Sequence, residues 1–310
     1  MTAVLASNHV DAVQTADLER RFGGLSRLYG AEGARRIRSA HVIVVGIGGV
    51  GSWTAESLAR SGVGALTLVD LDHVAESNIN RQIHALSETL GKSKVGAMRE
   101  RIALINPACR VLALDAFVEA DNWSTLLQAA SEKSGLPDGV VDACDQVLAK
   151  YVLASWALET GCRFISVGAA GGRRRAEKVE IEDLARVTHD PLLARLRHRL
   201  RREHPLASAK PGRPFGLACV FSREPVMPPD TQTTENDVNA TVQGMAGHLD
   251  DVATNATISD DETARRDSSL NCHGYGSVVA VTATFGHCAA GWMLDQLASR
   301  RSAVSRTLQS

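Results

Sequence analysis

The stretch AHVIVVGIGGVGSW, residues 40–53, decides the fold. Its first half is rich in Val and Ile and ends at a glycine, the pattern of a parallel strand buried on both faces. Its second half spells G-x-G-x-x-G at Gly46, Gly48 and Gly51, with a further glycine at Gly49. Gly46 permits a tight turn out of the strand, Gly48 lets the backbone approach phosphates, and Gly51 lets the next helix pack closely. Phosphate then rests on a helix N-terminus, where free N–H groups and the helix dipole favour negative charge. The glycines alone do not say whether the nucleotide carries hydride or is ATP to be split.

Outward from this turn, strand and helix alternate. A helix is expected from Gly51 to Arg60, then a strand at ALTLVD (65–70). SETLGKSKVGAMRERIALIN (87–106) reads as a helix closed by Pro107, and CRVLALDAF (109–117) as a third strand. Residues 121–134 are helical, GVVDACD (139–145) is a fourth strand, 146–161 a helix, and CRFISVGAAG (162–171) a fifth strand. This alternation predicts an α/β fold: a doubly wound, Rossmann-like, mostly parallel sheet with ligands at the carboxyl ends of its strands.

After Gly172 the pattern changes. KVEIEDLA (178–185) and LACVFSRE (217–224) are strand-like. Between them Asp190 and Pro191 mark a helix start, with Asp as N-cap and Pro at the first helical position. Residues 1–19 therefore read as a loose N-terminal arm with no export signal, 20–172 as an ATP-binding domain, and 173–310 as a C-terminal extension. The extension holds a basic helix (191–203), an acidic, aromatic-poor insertion over 225–268 expected to be disordered, and a final helix over 277–299. The apolar run 277–294 is long, but Thr282, Thr284, His287 and two glycines favour a buried, close-packed helix over a membrane span.

Six cysteines are scattered with no C-x-x-C pair, which argues against a zinc site and predicts reduced thiols in a cytoplasmic protein. No metal-ligating cluster is expected. The whole chain carries −1, and residues 230–262 alone carry −8, so the remainder carries +7. A basic body of this kind suits an anionic partner.

The nucleotide is distinguished beyond the second strand. Asp70 ends that strand and can accept hydrogen bonds from a ribose. DLDHVAESNINRQIHA (70–85) follows, with Asp72, Ser77, Asn78, Arg81 and Gln82; Lys94 comes thirteen residues after Arg81. A nicotinamide site needs no such cations unless it holds a 2′-phosphate, whereas two cations bracket a polyphosphate as charge builds on its leaving group. Asp145, ending the fourth strand, can hold Mg²⁺ or help place phosphate. Each residue has a plain alternative, Arg81 and Lys94 as solvated surface and Asp145 as a helix cap. Together, around one crevice, they favour ATP.

G-x-G-G-x-G, D-x-D-x-V-x-x-S-N-x-x-R-Q, the later Lys and the D-x-x-D strand end resemble the ubiquitin-activating-enzyme-like superfamily over residues 20–172. The resemblance implies carboxylate adenylation, with Asp70 on the ribose, Asn78, Arg81 and Lys94 on the triphosphate, and Asp145 placing Mg-ATP. It also implies a homodimer, with a monovalent cation as a further ligand. RRFGGLSRLYG (20–30), INPACRV (105–111), GAAGGR (168–173), THDPLLARLRHRLR (188–201) and VTATFG (281–286) resemble the branch that dehydrates threonylcarbamoyladenosine beside the tRNA anticodon. That branch implies an acyl-adenylate that cyclises with loss of AMP. Intramolecular closure has a high effective molarity, so no enzymic nucleophile is required.

There are departures and alternatives. The carrier-protein activators begin with R-Y-x-R, whose second Arg reaches the partner subunit's nucleotide; here Arg21 matches the first and Gly24 stands at the second, leaving Arg27 as a substitute. The Leu stripe of 191–203 fixes that helix on the body, and Arg195, Arg197, Arg199, Arg201 and Arg202, with Lys210 and Arg213, are expected on tRNA phosphates. The plain alternative is a solvated amphipathic helix. Cys272, in a Gly-rich loop, is either a plain thiol or a contact for a cysteine desulfurase system. A carrier-protein adenylyltransferase is the alternative function, but its zinc C-x-x-C pair and crossover-loop cysteine are not found in the sequence. A dehydrogenase and a non-catalytic tRNA binder are further alternatives.

Overall fold

The computed structural model describes residues 16–205, 213–227 and 275–299. Among the described residues, three short 3₁₀ turns aside, fifteen α-helices and strands run in the order α1 (Leu18–Phe22), α2 (Gly24–Ser39), β1 (His41–Val45), α3 (Gly51–Arg60), β2 (Ala65–Val69), α4 (Lys94–Ile105), β3 (Arg110–Leu114), α5 (Trp123–Ser134), β4 (Gly139–Asp142), α6 (Val147–Thr160), β5 (Arg163–Val167), β6 (Val179–Asp183), α7 (Pro191–Glu203), β7 (Ala218–Ser222) and α8 (Val279–Ala298). The strands form one sheet in the order β3-β2-β1-β4-β5-β7-β6. Neighbours are parallel except β6, which runs antiparallel to β7 at the sheet's edge. The order reverses between β1 and β4, so a crevice opens at their carboxyl ends.

β1, β2 and β4 are buried at every residue, as their unbroken Val/Leu/Ile runs require of strands covered on both faces. One face is packed by α3, α4 and α8, through Leu58, Met98, Phe285 and Met293. The other is packed by α5, α6 and α7, through Trp123, Leu153, Leu193, Leu196 and Phe221. The 191–203 helix begins where the sequence places it: Asp190 Oδ1 accepts from Leu193 N–H at 3.0 Å, and Leu192, Leu193, Leu196 and Leu200 are buried.

The 173–310 stretch thus supplies β6, β7 and α8 to the same sheet and core as 20–172. The apolar segment over 277–294 lies largely within α8, which buries Val281, Phe285, Ala289 and Met293 against α3 and α2. Among the described residues no helix is long and apolar enough to cross a membrane.

Two expectations are corrected. The helix expected over 87–106 begins only at Lys94, because Gly91 takes a left-handed φ of 78° and Ser93 Oγ then caps Gly96 N–H. The arm expected to reach residue 19 ends earlier: Asp17 caps α1, whose first residue is Leu18. The acidic insertion lies outside the described residues from 228 onward, as do Lys210 and Cys272.

Candidate active site

A cleft of about 640 Å³ opens at the carboxyl ends of β1, β2, β4 and β5. Gly46, Gly48 and Gly49 form its floor. Gly46 has φ 83°, and a Cβ there would stand 2.8 Å from the Ala143 carbonyl; a Cβ on Gly51 would meet Gly46 O at 1.7 Å. The glycine turn therefore lies against the end of β4, and α3 starts directly on it.

Asp70 ties this turn to β2. Its carboxylate accepts from Ile47 N–H at 2.6 Å and from Asp72 N–H at 2.9 Å. Burial raises its pKa, opposed by the Lys94 charge and these two hydrogen bonds. A carboxylate has about four lone-pair sites, so capacity remains for ribose hydroxyls.

Lys94 is the first residue of α4, and its ammonium lies 2.7 Å from Asp72 Oδ2 and 4.0 Å from Asp70 Oδ1. Asp72 is half-exposed and Lys94 is buried. An entering phosphate therefore competes with a solvent-accessible carboxylate for a fixed cation. Arg81 lies against the glycine turn at Gly49. Its stem lies 3.3 Å from where a Cβ of Gly49 would stand, and Nη1 donates to Ser77 O at 2.6 Å and Asn80 Oδ1 at 3.0 Å. The Trp53 indole N–H donates to the Arg81 carbonyl at 2.9 Å, so α3 holds the arginine's backbone.

Ser77, Asn78, Gln82 and Asp145 also line the cleft. Asn78 is buried and closes its own turn by accepting from Ala75 N–H at 3.1 Å. Gln82 is buried with Oε1 unpartnered, an acceptor left for a ligand group. Asp145 is exposed on the cleft wall. All the residues expected at the nucleotide are thus gathered around one cleft, Gly51 directly behind its floor.

Sequence reasoning missed other parts of the wall. Phe117 follows β3, Gly168–Gly171 follow β5, and Leu192 comes from α7. The rule that ligands meet strand ends points to the first two. Gly276, Ser277 and Thr282 arrive from the far end of the chain, and Asn80 Nδ2 donates to Ser277 O at 3.0 Å. Beneath the cleft lies a fully buried ion pair: Lys150 Nζ is 3.1 Å from Asp142 Oδ2 and donates to Val167 O at 2.7 Å. The Cys144 thiol donates to Asp142 Oδ1 at 2.8 Å. Burial pushes that thiol well above its usual value, with Asp142 adding to the shift, which keeps it an inert wall group.

The arginines of α7 divide. Arg197 turns inward, its Nη1 donating to Leu184 O and Val187 O, so it is a packing group and the expectation of phosphate contact is corrected for it. Arg199 pairs with Glu203 at 2.8 Å and lies over Tyr151, Arg201 lies over Phe215, and Arg202 pairs with Glu203. Arg195, Arg202 and Arg213 are exposed. Arg21 is exposed and donates to Ile105 O at 2.9 Å, and Arg27 is exposed; neither lines this chain's cleft.

Comparison with known proteins follows the same lines. The tRNA threonylcarbamoyladenosine dehydratase of Haemophilus influenzae is 39% identical over 285 residues, covering 92% of this chain and 95% of that protein. The Escherichia coli protein of the same name is 37% identical, covering 91% and 94%. A solved structure of E. coli tRNA N6-threonylcarbamoyladenosine dehydratase in complex with ATP superposes with a TM-score of 0.70 at 35% identity, covering 91% of this chain and 96% of that one. The model of the ThiF family matches residues 20–309, and the chain belongs to that family.

Proposed function

We propose that this protein is an ATP-dependent dehydratase that cyclises threonylcarbamoyladenosine in tRNA. The observation that carries the reading is that Arg81, against Gly49, and Lys94, beside the Asp70 that holds the glycine turn, line one cleft with that turn. Similarity to dehydratases along nearly the whole chain supports the choice of substrate.

A free carboxylate is a poor acyl donor because its oxygen leaves badly. In the proposed reaction that oxygen attacks the α-phosphorus of ATP, the bond to the β-phosphate bridge breaks, and pyrophosphate departs. Arg81 and Lys94 stabilise the charge that grows on it. A nitrogen or oxygen of the same side chain then attacks the acyl carbon, and AMP carries off the original carboxylate oxygen. The proton released passes to solvent. The inert Cys144 thiol agrees with a route that needs no enzyme nucleophile.

Asp145 is an oxygen donor on the cleft wall and fits a hard cation; it would hold Mg²⁺, which supplies charge neutralisation on the phosphates. A monovalent cation is a further proposed ligand. We place the enzyme in the cytoplasm, as a homodimer. Arg27 makes no hydrogen bond or ion pair among the described residues and is the better group to reach a second copy's cleft, since Arg21 is held by Ile105 O. Arg195, Arg199, Arg202 and Arg213 are the proposed tRNA contacts on and after α7.

The test is mass spectrometry of tRNA nucleosides after incubation with ATP. Loss of one water from threonylcarbamoyladenosine, with one AMP formed per turnover, is the expected result. ATP consumption that instead requires a small carrier protein with a free C-terminus would favour the adenylyltransferase reading.

A further inference from the structure

The R-R-R run at 173–175 is divided by the fold. Arg173 is buried: Nη1 donates to Ser222 O at 2.6 Å and Glu224 O at 3.1 Å, and Nη2 to His189 O at 2.9 Å and Asp190 Oδ2 at 3.2 Å. That one guanidinium clamps the loop after β5 to the end of β7 and to the cap of α7. Asp190 Oδ2 also accepts from Ala169 N–H at 2.9 Å, within the cleft wall.

Arg174 and Arg175 are treated differently. Their backbone N–H groups both donate to Glu224 Oε2, at 3.1 and 2.9 Å, which fixes the turn. The preceding Gly172 N–H donates to Tyr275 O and Gly276 O, both at 3.0 Å. Gly171 and Gly276 line the cleft, so the turn stands beside its rim. Both side chains are exposed, and neither guanidinium has a hydrogen-bond or ion-pair partner among the described residues. Most arginines of α7, by contrast, already engage Glu203, aromatic rings or backbone carbonyls and must exchange those partners to meet phosphate.

We propose that Arg174 and Arg175 form a phosphate clamp at the rim of the cleft that grips the tRNA backbone. The inference rests on the tRNA reading above. A turn fixed by Glu224 and Arg173 holds two unpaired cations with little backbone entropy left to lose on binding. Unpaired guanidinium groups at a rim are suited to phosphate oxygens.

The experiment uses the full-length Arg174→Ala/Arg175→Ala chain, an unmodified tRNA transcript for binding, and modified tRNA for turnover. Loss of two phosphate contacts is expected to weaken tRNA binding roughly tenfold and to lower the slope of log K against log salt by about 1.5. The rise in melting temperature on adding ATP-Mg is expected to be unchanged, and kcat at saturating tRNA is retained while KM for tRNA rises. Arg35→Ala/Arg38→Ala, on α2 where the chain enters β1, removes the same charge and is expected to leave tRNA binding as it is. A double variant that binds tRNA with the wild-type affinity and salt slope overturns the clamp, as does an equal loss in the α2 pair. A wild-type chain that binds no tRNA overturns the clamp together with the function on which it rests, and is distinguished by that result alone.

Discussion

Gly48 and Gly51 stand three residues apart in one motif and do separate things. A Cβ at Gly48 meets nothing within 4 Å, whereas one at Gly51 would collide with Gly46 O. Gly48→Ala is therefore expected to melt as the wild type does but to lose most of the stabilisation by ATP, because the methyl group takes space meant for phosphate. Gly51→Ala is expected to destabilise the fold itself, at or above the top of the roughly 1–3 kcal/mol range for overpacking. Thermal melts with and without ATP-Mg separate the two. Arg81→Ala removes a half-buried cation and is expected to lower kcat by roughly 10²–10³-fold in pyrophosphate release with stability little changed. His84 sits close behind, buried with both ring nitrogens unpartnered, and burial pushes its pKa down to about 4, with Lys94 and Arg101 adding to the shift. A depressed histidine pKa means that the unfolded chain binds the proton first. Its contribution is complete above pH 6.5 and is lost as pH falls towards 4, by up to about 3 kcal/mol. Urea midpoints across this window are expected to fall, and His84→Leu to remove that part of the slope.

At the scale of elements, α7 shows how one side chain serves two purposes. Asp190 caps the helix through Oδ1 and neutralises the buried Arg173 through Oδ2. Asp190→Ala leaves a buried guanidinium without its counter-charge, and a loss of about 3–5 kcal/mol is expected in urea denaturation. The cap itself was legible, since Asp followed by Pro before a Leu stripe is a local signal. Its partner was not, because Arg173 lies seventeen residues away in a loop. The start of α4 was half legible. Apolar spacing over 87–106 looks continuous, and only the left-handed Gly91 with the Ser93 cap shows that the chain turns before Lys94. That turn matters to the site, because it puts Lys94 at the first residue of the helix, against Asp70 and Asp72.

For the whole molecule, the final helix is as much a part of the nucleotide domain as the glycine turn. α8 packs on α3 and the sheet, and Thr282 lines the cleft beside Arg81. A chain ending before Val278 is expected to show no cooperative melt by circular dichroism, since it exposes the core that Phe285 and Met293 cover. The first two parallel strands, the glycine turn, Asp70 and the Arg81–Lys94 pair were all readable from residues 40–94 alone, and the next three strands from 109–171. These are local matters: strand burial writes a continuous apolar run, and a phosphate turn writes its glycines at fixed spacing. What only the tertiary structure decided is which charges remain available. It buries Lys150 against Asp142, turns Arg197 and Arg173 inward, and leaves Arg174 and Arg175 outside. An arginine reads the same in one dimension whether its partner is a carbonyl forty-nine residues away, as Ser222 O is for Arg173, or water. Only chain crossings between distant segments settle that.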